Sequence, residues 1–165
     1  MSIEIWDPHF HIWDVSENTT SGHDATQLFA PNNNPVYSWK EYERDIGQAG
    51  ERYSHKGGAF VEAVSVCHID QSGPIFSDAC LAESRWASSQ LNQSDKKYVL
   101  VSTAPLEDPG IGSILATLTD DPRVCGIRQI INFEPSWPRN ERLGNLLENH
   151  QWRMGFAELG NYSLS

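Results

Sequence analysis

Two imidazoles two residues apart are the clearest chemical signal in this chain. Asp7-Pro8-His9-Phe10-His11-Ile12-Trp13-Asp14 follows an apolar start, Ile3-Glu4-Ile5-Trp6. If that start is a strand, side chains alternate along it, and His9 and His11 point to the same face. Their Cβ atoms then stand about 7 Å apart, so one metal about 2.1 Å from each ring nitrogen can bridge them. A divalent metal such as zinc, held by neutral imidazoles, activates water for hydrolysis. Asp7 has the same parity and is expected to reach inward too. A bare H-x-H is a weak motif, and structural or surface histidines are the rival reading. Placement sharpens it, because the pair follows the first strand, and chemistry in (β/α) barrels gathers at the C-terminal strand ends.

Two charged residues join the candidates. Glu62 sits among apolar residues in Ala59-Phe60-Val61-Glu62-Ala63-Val64-Ser65-Val66. A buried carboxylate needs a metal, a cation or a proton; the alternative is an exposed position in a misread strand. Arg128 follows Gly126-Ile127, and its guanidinium fork suits a carboxylate or an oxyanion. Its alternative is a structural ion pair at the rim. Gln129 alternates to the opposite face. Trp13 either lines the mouth or packs. His23, His55, His68 and His150 read as surface or helix residues. His150 closes an apolar helical face, a favourable C-terminal position for an imidazole.

The elements that must position these residues alternate between strand and helix. A polar loop runs from Ser16 to Pro35. Ser38-Trp39-Lys40-Glu41 has capping-box spacing and starts a short helix toward Ala49. Gly57-Gly58 breaks the chain before the second strand, Ala59 to Val66. Ile75, Ala79, Ala82 and Trp86 line one face of a helix ending near Leu91. Tyr98 to Ser102 is a third strand, of the continuous apolar kind buried on both faces. Asp108-Pro109 reads as N-cap and first helical residue, with Ile111, Ile114, Leu115 and Leu118 as the apolar face. Gly110 and Gly112 weaken this helix by about 1 kcal/mol each if interior. Val124 to Ile131 is the fourth strand. A last helix carries Leu143, Leu146, Leu147 and His150, and Met154 to Leu159 opens a fifth strand. This order means a parallel sheet, either open and doubly wound or a (β/α)8 barrel. Glycine-rich phosphate fingerprints are absent, which lowers the nucleotide-binding form of the open sheet.

Bulk properties narrow the partners. Hydrophobic residues make up 39% and aromatics 10% of the 165 residues, enough for a sizeable core. The net charge of −10 argues against a nucleic-acid backbone or an anionic membrane as partner. No apolar stretch is long enough to span a bilayer, and the N-terminus lacks signal-peptide features. Cys67, Cys80 and Cys125 are odd in number and far apart, as expected of reduced thiols in a cytoplasmic protein.

Four segments, in order, resemble the amidohydrolase-related family of predicted metal-dependent TIM-barrel hydrolases, which includes sugar lactonases and a pyrone-dicarboxylate lactonase. Asp7 through Asp14 looks like the family's first-strand D-x-H-x-H-x-W. Tyr37 through Asp45 is similar to its Tyr-containing helix start. Val61-Glu62-Ala63 resembles its strand-two V-E-A. Asp120-Asp121-Pro122-Arg123-Val124-Cys125-Gly126-Ile127-Arg128-Gln129 resembles the D-P-x-V-x-G-I-R-Q around strand four. The resemblance runs from Ile3 to about Trp152. It implies His9 and His11 as catalytic residues, and as metal ligands where the member uses a metal, since the family contains metal-independent members. Arg128 would bind a carboxylate or polarise a lactone carbonyl, with Glu62 beside it in substrate binding.

Such barrels need about 250 residues, so the expectation is a single partial domain over 1–165. It is a truncated (β/α)8 barrel of about four to five β/α units. The family's later site residues, ending in a strand-eight Asp that acts as base, have no place here, and the tail Glu158 to Ser165 departs from the family. The leading expectation is a hydrolase acting on a small cyclic ester. Behind it stand a catalytically inactive fragment with at most a binding role, and a decarboxylase of the same superfamily. Half a barrel also leaves sheet edges that favour self-association.

Overall fold

A computed structural model describes residues 2–16, 35–63, 73–133, 135, 141 and 143–165. Its centre is a four-stranded sheet of β1 (Ile3–Phe10), β4 (Tyr53–Val61), β5 (Lys97–Ser102) and β6 (Val124–Ile127), in that spatial order. All three neighbouring pairs are parallel. Parallel neighbours require crossovers, and helices supply them. They are α1 (Trp39–Gly47) before β4, α2 (Gly73–Leu91) before β5 and α3 (Ile111–Leu118) before β6. Two short strands, β2 (Trp13–Asp14) and β3 (Val36–Tyr37), pair antiparallel beyond the end of β1. After β6 come a 3₁₀ turn (Leu146–Glu148), α4 (His150–Glu158) and a second 3₁₀ turn (Leu159–Tyr162). The expected α/β class with a parallel sheet is therefore present.

The helices cover one face of the sheet. Phe10, Phe60, Tyr98, Leu100 and Val124 from the strands pack with Trp39, Tyr42, Ala87, Leu91, Leu115 and Leu118 from the helices. The other face is not closed by described residues. Along β5, Tyr98, Leu100 and Ser102 are buried while Val99 and Val101 are half-buried, so burial on both faces is not seen. At the β1 edge, Ile3 is 47% and Trp6 44% exposed.

Local chemistry explains where the elements start, and where the sequence expectation missed. The Ser38 capping box forms: the Glu41 carboxylate accepts from the Ser38 backbone N–H at 2.9 Å. Gly57-Gly58 does not precede the second strand but lies inside it. The β1–β4 register slips between Ile5 and Trp6, passing from His55 to Gly57. Gly57 has φ +146°, and a Cβ there would stand 1.7 Å from the Lys97 carbonyl oxygen. A glycine in a strand here marks a bulge and close backbone approach, not a break. The remainder of the expected second strand, Val64 to Val66, lies outside the described residues, as do Cys67, His23, His68 and most of the Ser16–Pro35 loop.

Asp108 and Pro109 do not open α3; Gly110 is its N-cap. The Asp108 side chain instead accepts from the Gly110 N–H at 2.7 Å, a local turn that competes with helix capping. The fourth strand ends at Ile127, not Ile131, although the Arg128 N–H still reaches the Ser102 carbonyl at 2.8 Å. Met154 to Leu159 is not a strand. Asn149 caps α4 by accepting from the N–H groups of Gln151 (2.9 Å) and Trp152 (3.2 Å), and the helix covers most of that segment. His150 consequently begins a helix rather than ending one, and the C-terminal dipole argument for it fails. Gly155 lets α4 approach the chain closely, because a Cβ would stand 2.0 Å from the Leu106 carbonyl oxygen. The position beside β6 is taken by Ser165: its N–H bonds the Cys125 carbonyl (3.2 Å), and its carbonyl accepts from Ile127 N–H (2.9 Å). No helix among the described residues is long and apolar enough to cross a membrane.

Candidate functional site

The histidine pair forms where β1 ends. Phe10 turns into the helix-covered core and stacks on Tyr42 at 4.2 Å between ring centroids. Alternation then directs His9 and His11 away from that core. Their rings meet edge-on at 4.8 Å, with the two Nε2 atoms 3.0 Å apart. His11 Nδ1 lies 2.8 Å from the Val61 carbonyl oxygen at the end of β4. A carbonyl only accepts, so His11 Nδ1 carries a proton, and neutral His11 offers an Nε2 lone pair to the Nε2–H of His9. The His11 pKa is lowered, first by burial. The Val61 hydrogen bond opposes this, while the nearby His9 and Arg128 charges add to it. The ring is therefore held neutral, the form that ligates a metal.

Asp7 does not join the pair. The register slips again between Asp7 and Phe10, which breaks the parity counted from the sequence. Its Oδ2 accepts from the Tyr42 hydroxyl (2.9 Å) and its Oδ1 from the His9 backbone N–H (3.0 Å).

Glu62 and Arg128 meet beside the same strand ends. Glu62 is 0% exposed. Arg128 Nη1 donates to Glu62 Oε1 at 3.0 Å and to the Glu62 carbonyl at 3.1 Å. The guanidinium answers the need of a buried carboxylate for a cation. Arg128 keeps 35% side-chain exposure, and among the described residues both of its bonds leave from Nη1. The sequence placed both residues in substrate binding. Glu62 itself is fully buried, and Arg128 is the member of the pair that keeps exposed surface.

As a metal site the pair fits in part. Two ligands about 2.1 Å from a tetrahedral zinc stand about 3.4 Å apart, so the 3.0 Å separation needs only a small opening. Among the described residues no group of three or more His, Cys, Asp or Glu could hold a metal. His9 and His11 are thus two donors without a third from this set.

Other expectations resolve differently. Gln129 donates to Glu107 (2.7 Å) and accepts from the Trp152 indole N–H (2.6 Å), tying α4 to the sheet end. Trp13 stacks on Tyr37 at 4.9 Å. His55 is neither on a helix nor on the surface. It is half-buried in β4 beside Tyr42 and Tyr98, and its pKa is lowered, first by burial and then by Lys96. The sequence reading missed Glu83, whose carboxylate accepts from the Ala63 N–H at 2.8 Å, because nothing along α2 marks which polar residue faces a strand end.

No protein-family model matches the chain. No solved structure matches it. Among curated proteins it is similar to an uncharacterized protein, y4mH, of Sinorhizobium fredii (strain NBRC 101917 / NGR234). Identity is 26% over 176 aligned positions, covering 99% of this chain and 52% of that protein. The chain therefore spans about half the length of the relative it matches.

Proposed function

We propose that these strands form the first part of an amidohydrolase-related (β/α)8 barrel that hydrolyses a small cyclic ester, a sugar lactone or a related lactone. The observation that carries the reading is convergence. The His9–His11 pair and the Glu62–Arg128 pair gather at the C-terminal ends of a parallel sheet. That is where barrel enzymes do their chemistry. Strands in chain order with intervening helices support barrel closure over open winding.

In this reading His9 and His11 hold a divalent metal such as zinc, through Nε2 of each ring. The metal, when bound, supplies Lewis acidity toward the lactone carbonyl or toward water. Arg128, anchored by Glu62, presents its remaining N–H groups to a substrate carboxylate or carbonyl oxygen. In a metal-independent member His11, kept unprotonated by its lowered pKa, itself takes up a proton. The resemblance assigns the base to an Asp on a later strand. The protein works on a small molecule in the cytoplasm, and the net charge of −10 keeps nucleic acids and anionic membranes away. Open sheet edges favour self-association.

A sugar-lactone panel, assayed with and without added zinc, tests this. Hydrolysis that is lost in His11→Ala and Arg128→Met supports the reading. Ligand binding without turnover favours a non-catalytic binding role, and turnover untouched by either substitution overturns the site.

A further inference from the structure

We propose that Glu83, on α2, is the positioning residue of this site. It acts by clamping the exit of β4. Three of the site's contacts come from two consecutive residues there. The Val61 carbonyl fixes His11 Nδ1, and the Glu62 carbonyl and carboxylate fix Arg128 Nη1. The segment is pinned on one side by the Glu62 N–H to the Val101 carbonyl of β5, at 2.9 Å. On its other side the sheet ladder has ended. The next N–H, that of Ala63, belongs to a residue only 1% exposed. A buried N–H needs a hydrogen-bond partner, and Glu83 Oε1 is that partner at 2.8 Å. A charge-assisted bond to backbone is among the stronger kinds of hydrogen bond. Without it the Glu62–Ala63 peptide loses the bond that fixes its N–H end. The carbonyl that this peptide contributes is the one Arg128 holds, and the Val61 carbonyl lies one peptide earlier. Glu83 thus sets both the His11 tautomer and the Arg128 orientation without touching either side chain. Outer-shell groups of this kind shift metal affinity about 10–100-fold when removed.

The inference rests on the proposed site, but its test does not need activity. The probe is ¹⁵N NMR of the imidazole nitrogens of the full chain at pH 8, with zinc titration and thermal unfolding alongside. In the unsubstituted protein His11 is expected as a single Nδ1–H tautomer. Glu83→Ala should show both His11 tautomers and bind zinc about tenfold more weakly. Glu83→Gln retains an acceptor oxygen and should restore both. Ser88→Ala, which loses a 2.6 Å bond to Asp121 at the other end of the sheet, should lower the melting temperature without moving the tautomer. A Glu83→Ala protein that melts earlier but keeps the pure Nδ1–H form overturns the proposal, as does failure of the Gln rescue. If the Ala variant does not fold, Glu83→Asp, too short to reach Ala63, is read in the same way. Loss of the fold in both overturns it, because the residue is then structural only. If zinc binds no variant while the tautomer responds, the metal reading fails and the positioning role stands.

Discussion

Strand β6 carries an arginine at each end, and the two are used in opposite ways. Arg123 precedes Val124 at the N-terminal end. Its Nε and Nη2 grip the two Asp121 oxygens at 3.0 and 2.8 Å, its Nη1 donates to Asn92 (3.0 Å), and Nη2 also meets the Ser88 hydroxyl. Every arm of that fork has a protein acceptor. It holds Asp121 at a pKa of about 2, with the Ser88 hydroxyl assisting. The cleft beside it, about 630 Å³, is lined by Arg85, Ser88 and Asp120 among others and lies at the strand starts. Arg128 follows Ile127 at the C-terminal end and uses one nitrogen on a fully buried carboxylate. A saturated guanidinium braces α2 against the strand start. One with arms to spare, beside the His9–His11 pair, keeps donors free for a further acceptor. The comparison teaches that an Arg–carboxylate pair is diagnosed by its remaining donors, not by its existence.

The largest expected effect separates the two arginines by burial. Arg128→Met leaves the buried Glu62 carboxylate without its guanidinium and should cost about 3–5 kcal/mol in urea unfolding. The double variant with Glu62→Met should recover much of that loss. A double variant no more stable than the single one would show that Glu62 is not held through Arg128. Arg123→Ala, at a pair that keeps some exposure on both sides, should cost only about 1–2 kcal/mol and leave zinc binding unchanged. A loss as large as that of Arg128→Met would erase the distinction.

Metal binding gives the next contrast. Zinc should bind weakly, and His11→Ala should remove binding by at least about tenfold, roughly 1.4 kcal/mol. Metal retained after dialysis and indifferent to that substitution would place the site elsewhere. The smallest effects are in pH. His11 and His55 both have lowered pKa values in the fold, so below the unfolded value of 6.5 the unfolded chain binds more protons. Stability should be whole above about pH 6.5 and decline as pH falls below it, and His55→Phe should flatten that slope. The Arg123–Asp121 end should respond only between about pH 4 and pH 2, where Asp121 takes up its proton. A midpoint for the urea transition that rises on acidification from pH 7 to 5 would reverse the sign argued for the histidines.

Much of the scaffold was readable from local chemistry. The Ser38–Glu41 box, the end of α2 at Leu91 and the β5 strand stand where their residues indicated, whereas the buried face of α2 runs through Phe76, Cys80 and Ala87 and leaves the expected Ile75 65% exposed. Two misreadings share a cause. Asp7 was placed by counting along a regular strand and Gly57 was read as a break, whereas β1 and β4 are irregular where they pair. A bulge shifts parity by one residue and is set by the neighbouring strand, not by the strand's own sequence. The α4 misreading is of another kind: Met154 to Leu159 is ambiguous by pattern, and the Asn149 cap together with close packing on Leu106 decided it.

The sequence by itself determined the α/β alternation and which residue types could do chemistry, because strand, helix and capping signals act within a few residues. Only the tertiary structure decided which of those residues meet. The partner of Glu62 lies 66 residues away in Arg128, and the acceptor for His11 lies 50 residues away in Val61. No local pattern encodes such distances. They follow from parallel pairing, which sets strand ends side by side only after the crossover helices have packed.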